Sequence, residues 1–200
     1  MASAGYTAAL RDLCQLALYG IQPGTERLAA VLSRLGEPQA GIPAIHIAGT
    51  NGKGSTAAYC ASLLGQLAGA LRQAGGRRLR IGLYTSPHLQ RVRERIQLSD
   101  AATAGFRDCT EDEFVGALSA VRAAAQAAPA VTLTFFEALT AAAFVLWREA
   151  GVDLAVVETG LGGRLDATRL CQPLATAVTS IGRDHCELLG DTLGQIAFED

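Results

Sequence analysis

The 200-residue sequence has little charge, almost no lysine and no long apolar run. Charged residues make up 18% of it, hydrophobic residues make up 50%, and the formal net charge is −2. This composition is typical of a folded globular chain and gives no electrostatic reason to expect a nucleic-acid partner. No apolar run approaches the ~20 residues that a membrane-spanning helix needs. We therefore expect neither a nucleic acid nor a membrane among its partners.

Paired cysteines are also missing. The five cysteines are widely spaced and contain no C-x-x-C pair. This pattern fits a reducing compartment and argues against a disulfide framework or a zinc ribbon. The first 20 residues have no basic leader and indicate an amphipathic helix instead of a signal peptide. The sequence predicts a cytoplasmic protein, and an organellar form stays open because the true start codon is uncertain.

Short apolar runs alternate with longer helical stretches along the chain. The runs at 42–49, 79–85, 152–159 and 174–181 predict buried parallel strands, with helices near 55–73, 110–126 and 134–150. The segments 99–109 and 123–130 are interpreted as a loop and a helix end. This order predicts an α/β, P-loop-containing fold with a mostly parallel sheet flanked by helices. A polar or glycine-rich loop follows every strand, so the chemistry is expected at one edge of the sheet.

The first such loop holds the single lysine, Lys53, of the 17 lysine and arginine residues. It lies in GTNGKGST, between a predicted strand and a predicted helix, where glycines let backbone N–H groups approach phosphate oxygens. The compact ammonium group suits phosphate binding better than the planar fork of arginine. The spacing departs from G-x-x-x-x-G-K-[ST], because the first glycine is replaced by Ile47 and Gly54 is inserted before Ser55. The candidate nucleotide-binding residues are Gly49, Thr50, Asn51, Gly52, Lys53, Gly54, Ser55 and Thr56.

Three further strand ends carry candidate metal ligands. Glu158 ends an apolar strand before GLGG, where a carboxylate holds Mg²⁺ against phosphates or simply closes the strand. Ser86 in TSPHL is a candidate metal oxygen or a turn residue before proline. His185 in GRDHCE is a candidate ligand or a hydrogen-bonded structural histidine. The arginines of RVRER, at 91–95, form a basic cluster near this edge or a solvated face.

Five blocks, in order, resemble the folylpolyglutamate synthase/dihydrofolate synthase family of the Mur ligase superfamily. They are IHIAGTNGKGST, LYTSPHLQRVRERI, TFFEALTAAAF, ETGLGGRLDAT and TSIGRDHCELLGDTLGQIA. The resemblance implies an ATP-dependent ligase that joins L-glutamate to a folate or dihydropteroate carboxylate through an acyl phosphate. It implies Mg²⁺ as cofactor and ATP as a substrate, and a monomer when the protein is full length.

The resemblance also assigns roles to individual residues. Lys53, Glu158 and His185 would be catalytic, and Ser86 with Glu158, and Glu158 with His185, would hold two metal ions. Phe136 and Asp166 would contact the pterin. In the family a carbamylated lysine helps to bind the second metal, and Asp200 stands at that position here.

Family members are much longer than this chain. Residues 1–200 would correspond to the N-terminal part of the Mur-ligase-type ATP-binding domain, incomplete here, with the C-terminal glutamate-binding domain absent. We therefore expect little or no ligase turnover from the chain alone. Two alternatives to the ligase remain, a P-loop kinase or ATPase without ligase activity, and an inactive nucleotide-binding remnant. The sequence leaves open the choice between dihydrofolate synthase, folylpolyglutamate synthase or both.

Overall fold

A computed structural model describes residues 2–100 and 105–200 and shows one six-stranded sheet. Its strand order is β4-β3-β2-β5-β1-β6. The bounds are β1 Pro43–Ala48, β2 Ile81–Tyr84, β3 Ile96–Ser99, β4 Phe106–Asp108, β5 Leu154–Glu158 and β6 Gln172–Val178. Strands β2, β5, β1 and β6 pair in parallel, whereas β3 and β4 add an antiparallel hairpin at one side. The α/β class with a mostly parallel sheet is confirmed.

Seven α-helices surround the described sheet. Their bounds are α1 Ala4–Gln15, α2 Glu26–Arg34, α3 Lys53–Gln73, α4 Glu111–Gln126, α5 Phe135–Ala150, α6 Cys186–Leu189 and α7 Leu193–Glu199. Helices α1, α2, α4 and α5 pack in the larger core on one face of the sheet. Helix α3 packs on the other face against β1, β2 and β5. No described helix is long and apolar enough to cross a membrane.

Helix α5 forms the centre of the larger core, and local sequence fixes both of its ends. Thr134 accepts a hydrogen bond from the Glu137 N–H, and the Glu137 side chain accepts one from the Thr134 N–H, which is a capping box. The helix ends at Gly151, whose φ of 67° favours glycine. Every residue from 137 to 147 is buried, including Trp147 at 0% exposure. Burying an aromatic side chain of this kind stabilises the fold by about 1.5–3 kcal/mol.

The predicted elements agree with the structure for the four parallel strands and the three long helices, with ends shifted by one to two residues in most cases. Strand β6 differs more, since it ends at Val178 where 181 was expected. The prediction of a buried strand is wrong there, because β6 is an edge strand of the described sheet and six of its seven residues are exposed. The interpretation of 99–109 as a loop is wrong at β4, which pairs with β3. Residues 101–104 of that segment lie outside the described residues. Short strands without alternating apolar residues carry too weak a pattern to be predicted.

The parallel pairing places the carboxyl ends of β1, β2, β5 and β6 at the same edge of the sheet. The segments 49–56, 85–91, 159–166 and 179–185 follow these ends directly, and the first of them includes the first turn of α3. This is the location at which open α/β sheets bind ligands. The fold therefore collects the candidate residues predicted from the sequence at one edge.

Candidate functional site

The glycine-rich loop between β1 and α3 has the local structure of an anion-binding site. Gly52 adopts a left-handed conformation with φ of 88° immediately before α3 begins at Lys53. The 21-residue helix directs its unpaired N-terminal N–H groups and its positive dipole end towards this edge. The Lys53 ammonium donates to the carbonyl of Gly49 at 2.6 Å and to that of Thr50 at 3.3 Å. The loop thus gathers positive charge and N–H donors.

The strand-end segment 179–182 holds this loop in place. The Ser180 carbonyl accepts from the N–H groups of Thr50 and Asn51, at 3.0 and 3.2 Å. The Thr50 hydroxyl donates to the Gly182 carbonyl at 3.1 Å. Gly49 has a φ of 119°, and a Cβ atom there would lie 2.9 Å from the Thr179 backbone nitrogen. Only glycine fits this position without displacing the neighbouring strand end.

Glu158 ends β5 beside the first turn of α3. It is 3% exposed, and its Oε2 accepts from the Ser86 N–H at 2.9 Å. Its Oε1 would lie 3.4 Å from a Cβ atom on Gly54. Burial raises the pKa of Glu158, while the Ser86 N–H and the positive charges of Lys53 and Arg95 lower it. The structure therefore brings together Glu158, the phosphate-binding loop and Ser86.

A cavity of about 600 Å³ opens at the same edge. Four of the predicted site residues line it, namely Ser86, Phe136, Asp166 and His185. The described loop residues 49–56 are not among its lining residues, so they lie to the side of it. The hydrogen bond between Ser86 and Glu158 joins the cavity to the glycine-rich loop. The arrangement provides two adjacent compartments, one suited to phosphates and one to a larger organic ligand.

Arg95 is a cavity residue that the sequence left undecided within the RVRER cluster. Its guanidinium lies 5.3 Å from the centroid of the Phe135 ring, and its Nε donates to His88 Nδ1 at 2.9 Å. Burial lowers the pKa of Arg95, and the negative charge of Glu158 raises it. The sequence held one signal for it, the position of the cluster shortly after a strand end. Which arginine of the cluster turns inward depends on tertiary packing.

Phe136 and Asp166 form adjoining parts of the cavity wall. The Phe136 ring lies 5.8 Å from the Tyr84 ring, and a Cβ atom on Gly160 would lie 2.6 Å from its Cζ. The Asp166 carboxylate is 7% exposed. Its Oδ2 accepts from the N–H groups of Gly160 and Leu161, at 3.1 and 3.2 Å. Asp166 therefore closes the glycine-rich loop 160–166, and its direct contact with a ligand stays a prediction.

His185 lies at the mouth of the cavity, just before α6. Its φ of 47° is in the left-handed region, and its side chain is 49% exposed. Its Nε2 lies 3.9 Å from Asp184 Oδ1, and its Nδ1 lies 3.8 Å from Glu187 Oε1. Across residues 2–100 and 105–200 no three histidine, cysteine, aspartate or glutamate side chains cluster closely enough to hold a metal ion. A metal ion here would need ligand oxygens from its phosphates as well as protein ligands.

Asp200 reaches the glycine-rich loop from the end of α7. Burial raises the pKa of Asp200, whereas Lys53 and a hydrogen bond from the Gly49 N–H lower it. Its Oδ2 is buried without a hydrogen-bond partner. Helix α7 is held there because the Glu199 carbonyl accepts from the N–H groups of Gly163 and Arg164. A carboxylate therefore stands close enough to Lys53 to interact with its positive charge.

Comparison with known proteins confirms the family resemblance. The chain is 44% identical over 193 residues to a Halobacterium salinarum protein named "Probable bifunctional folylpolyglutamate synthase/dihydropteroate synthase". The match covers 96% of this chain and 22% of that protein. No protein-family model matches the chain.

Two solved structures share the fold. The chain superposes with a TM-score of 0.80 and 32% identity on E. coli FolC in complex with DHPP and ADP, covering 96% of this chain and 42% of that one. It superposes with a TM-score of 0.76 and 33% identity on a Yersinia pestis bifunctional folylpolyglutamate synthase/dihydrofolate synthase complexed with AMPPNP and Mn ion, again covering 96% and 42%. The chain thus spans less than half of the relatives that it matches.

Proposed function

We propose that this chain, similar in sequence and fold to folylpolyglutamate synthases/dihydrofolate synthases, is the ATP-binding and acceptor-binding part of an ATP-dependent ligase. The reaction would join L-glutamate to a folate or dihydropteroate carboxylate through an acyl phosphate. The observation that carries the proposal is the pairing of two compartments at one sheet edge, joined by the hydrogen bond between Ser86 and Glu158. Such a ligase must bring a phosphoryl donor and a carboxylate acceptor side by side.

The glycine-rich loop would bind the phosphates of ATP. The ammonium group of Lys53 now lies against the carbonyls of Gly49 and Thr50. Phosphate oxygens would replace these neutral acceptors with charged ones, and charge-assisted hydrogen bonds are roughly twice as strong as neutral ones. The N-terminal N–H groups of α3 add further donors. This geometry supports a nucleotide as the phosphoryl donor.

The cavity would bind the acceptor. Its volume of about 600 Å³ is in the range of cavities that hold drug-sized ligands. The Phe136 ring offers an aromatic face for a flat heterocycle, and Arg95 offers a cation for an acceptor carboxylate. Ser86 lines the same cavity, so the carboxylate end of the acceptor would point towards the phosphate-binding loop. These features favour an extended aromatic acid over a small hydroxyl acceptor.

The donor set at this edge fits a divalent cation. Glu158 and Ser86 offer oxygen atoms, which Mg²⁺ and Mn²⁺ prefer, and His185 offers an imidazole nitrogen. The buried Glu158 carboxylate has a single hydrogen-bond donor among the described residues, the Ser86 N–H. It therefore has lone pairs left for a metal ion. When bound, the cation would neutralise charge on the transferred phosphoryl group.

The proposal extends to the whole protein. Residues 1–200 would form the N-terminal part of the ATP-binding domain. The glutamate-binding domain would correspond to the part of the relatives that these residues do not match. We expect a cytoplasmic protein that is monomeric at full length, with small molecules and not nucleic acids as its partners. The chain alone is expected to bind ligands with little or no turnover.

The second candidate is a nucleotide-binding remnant without ligase activity. One observation favours it over a complete enzyme. Asp200 places a shorter carboxylate where the family resemblance implies a carbamylated lysine. A P-loop ATPase or kinase would hydrolyse or transfer phosphate in a manner that folates do not affect. Ligand binding separates these possibilities.

The test of the acceptor site is a fluorescence titration with dihydropteroate in the presence of Mg²⁺ and a non-hydrolysable ATP analogue. Gly160→Ala would place a Cβ atom 2.6 Å from the Phe136 ring, so we expect at least about tenfold weaker dihydropteroate binding with unchanged nucleotide binding. Gly116→Ala is the matched control, because nothing lies within 4 Å of its added Cβ. Equal dihydropteroate affinity in all three proteins would contradict the assignment of the cavity.

A further inference from the structure

A partly buried network of hydrogen-bonded side chains runs beneath the cavity wall, and two of its members, His46 and Thr168, are not among the cavity-lining residues. His46 Nε2 lies 2.8 Å from the hydroxyl oxygen of Thr168. That hydroxyl is in short hydrogen-bond contact with Asp166 Oδ1, which also accepts from the Thr168 N–H at 2.9 Å. Thr168 is 0% exposed. These hydrogen bonds connect β1, which is followed by the glycine-rich phosphate loop, to the loop 160–166, which lines the cavity.

The donors and acceptors in this network predict where each proton lies. Asp166 accepts from three backbone N–H groups, those of Thr168, Gly160 and Leu161, and its Oδ1 is in short contact with the Thr168 hydroxyl. Burial raises the pKa of Asp166, whereas these hydrogen bonds lower it and stabilise the ionised carboxylate. With Asp166 ionised, the single hydroxyl proton of Thr168 points to Asp166, so its oxygen accepts from His46. His46 then carries its proton on Nε2, and burial lowers the pKa of His46 to about 4, which keeps the ring neutral.

We propose that His46 and Thr168 are positioning residues that shape the acceptor-binding wall through Asp166. Asp166 directs the N–H groups of Gly160 and Leu161, and both residues line the cavity. Gly160 in turn packs directly against Phe136. Loss of the hydrogen bond between Thr168 and Asp166 would therefore displace the part of the cavity wall that contacts the ligand. The identity of the ligand rests on the proposed function, but the order of the hydrogen bonds does not.

The geometry explains why each residue type is needed. Within this network of hydrogen bonds, the Thr168 hydroxyl has two partners at once, because it donates to Asp166 and accepts from His46. A buried polar group that loses its partner costs about 1–3 kcal/mol. Valine has the shape of threonine without the hydroxyl, so it would leave the His46 Nε2–H without its acceptor and remove one of the two donors to Asp166 Oδ1. Serine keeps the hydroxyl and loses only a methyl group.

The first experiment measures amide hydrogen exchange by NMR in the wild type, Thr168→Val and Thr168→Ser. We expect at least about tenfold faster exchange at Gly160 and Leu161 in Thr168→Val, and near wild-type exchange in Thr168→Ser. The N–H groups of Gly163 and Arg164 bond to the Glu199 carbonyl, so their exchange should not change. Unchanged exchange at Gly160 and Leu161, or faster exchange at all four amides, would overturn the proposal.

The second experiment determines the tautomer of His46 from its ¹⁵N chemical shifts. The protein has three histidines, so His88→Gln and His185→Gln variants assign the signals. We expect a neutral ring protonated on Nε2 in the wild type and in Thr168→Ser. An Nδ1-protonated or doubly protonated ring near pH 7 would refute the proton order.

A dihydropteroate titration then links the chain of hydrogen bonds to binding. Thr168→Val should weaken dihydropteroate binding by about tenfold or more while the affinity for Mg·ATP stays unchanged, and Thr168→Ser should restore it. If wild-type protein binds no dihydropteroate, the proposed acceptor is wrong, and the exchange and tautomer results still decide the positioning role. Equal binding by the wild type and Thr168→Val would contradict the positioning role.

Discussion

Replacing Gly49 by alanine tests whether the phosphate-binding loop depends on its observed backbone. Gly49 has a φ of 119°, a conformation that residues with a Cβ atom rarely adopt. The added Cβ would lie 2.2 Å from the Thr179 hydroxyl oxygen and 2.9 Å from the Thr179 backbone nitrogen. The hydroxyl can rotate away, but the backbone contact requires the loop or the strand end to move.

The magnitude follows from two contributions. A residue held in a sparsely populated backbone region costs on the order of 1–3 kcal/mol. Inserting a methyl group into a packed site costs roughly another 1–3 kcal/mol. We therefore expect Gly49→Ala to lower the free energy of unfolding by about 2–6 kcal/mol, or to relieve the strain by shifting the loop. In the second case stability changes little and Mg·ATP binding is lost.

Two assays distinguish these outcomes, urea unfolding followed by circular dichroism and calorimetric titration with Mg·ATP. Gly116→Ala lies in the interior of α4 with nothing within 4 Å of its added Cβ, and it should stabilise the protein by about 0.4–1 kcal/mol. A Gly49→Ala protein with both wild-type stability and wild-type affinity for Mg·ATP would refute the reasoning.

Three further outcomes follow from the structure. Gly82→Ala should lower the free energy of unfolding by about 1–3 kcal/mol in urea titrations, because its Cβ would lie 2.6 Å from the Trp147 ring. A hydrogen bond from Arg107 lowers the pKa of Glu113 to about 2, below its ordinary value of 4.5. The stability that Glu113 contributes is therefore full above pH 4.5 and is lost as the pH falls towards 2, so Glu113→Gln should approach wild-type stability only at low pH. Burial raises the pKa of Cys109 to about 12, and its thiol should resist a disulfide reagent at pH 8 until urea unfolds the chain.

The parallel strands and long helices were predictable because their sequence patterns are local. Apolar β-branched runs bounded by glycine or proline specify buried strands, and the capping box at Thr134 specifies the start of α5. The hairpin of β3 and β4 was not predictable. Strand β4 has three residues and is partly exposed, so its pairing with β3 and not a periodic pattern defines it.

The meeting of the candidate loops at one edge was predictable, whereas their contacts were not. Glycine-rich and polar loops after parallel strands must meet at one edge, which places Ser86 beside Glu158 and puts Ser86 and His185 on the same cavity. The sequence does not reveal that Asp166 accepts hydrogen bonds from backbone N–H groups of its own loop, or that Arg95 turns towards the cavity. Both depend on which side chains pack against the loop 160–166 and the Phe135 ring, and such long-range contacts leave no local signal.

The most direct test of the central claim is a calorimetric titration of the chain with Mg·ATP, compared with Lys53→Ala. Removing the ammonium group should cost on the order of 1.5–3 kcal/mol, which is roughly a 10- to 150-fold weaker affinity. Lys53→Arg should also bind less tightly, since a planar guanidinium fits the loop less well than a compact ammonium. Wild-type binding that falls in Lys53→Ala is the predicted result. No binding by the wild type, or equal binding by Lys53→Ala, would contradict the account.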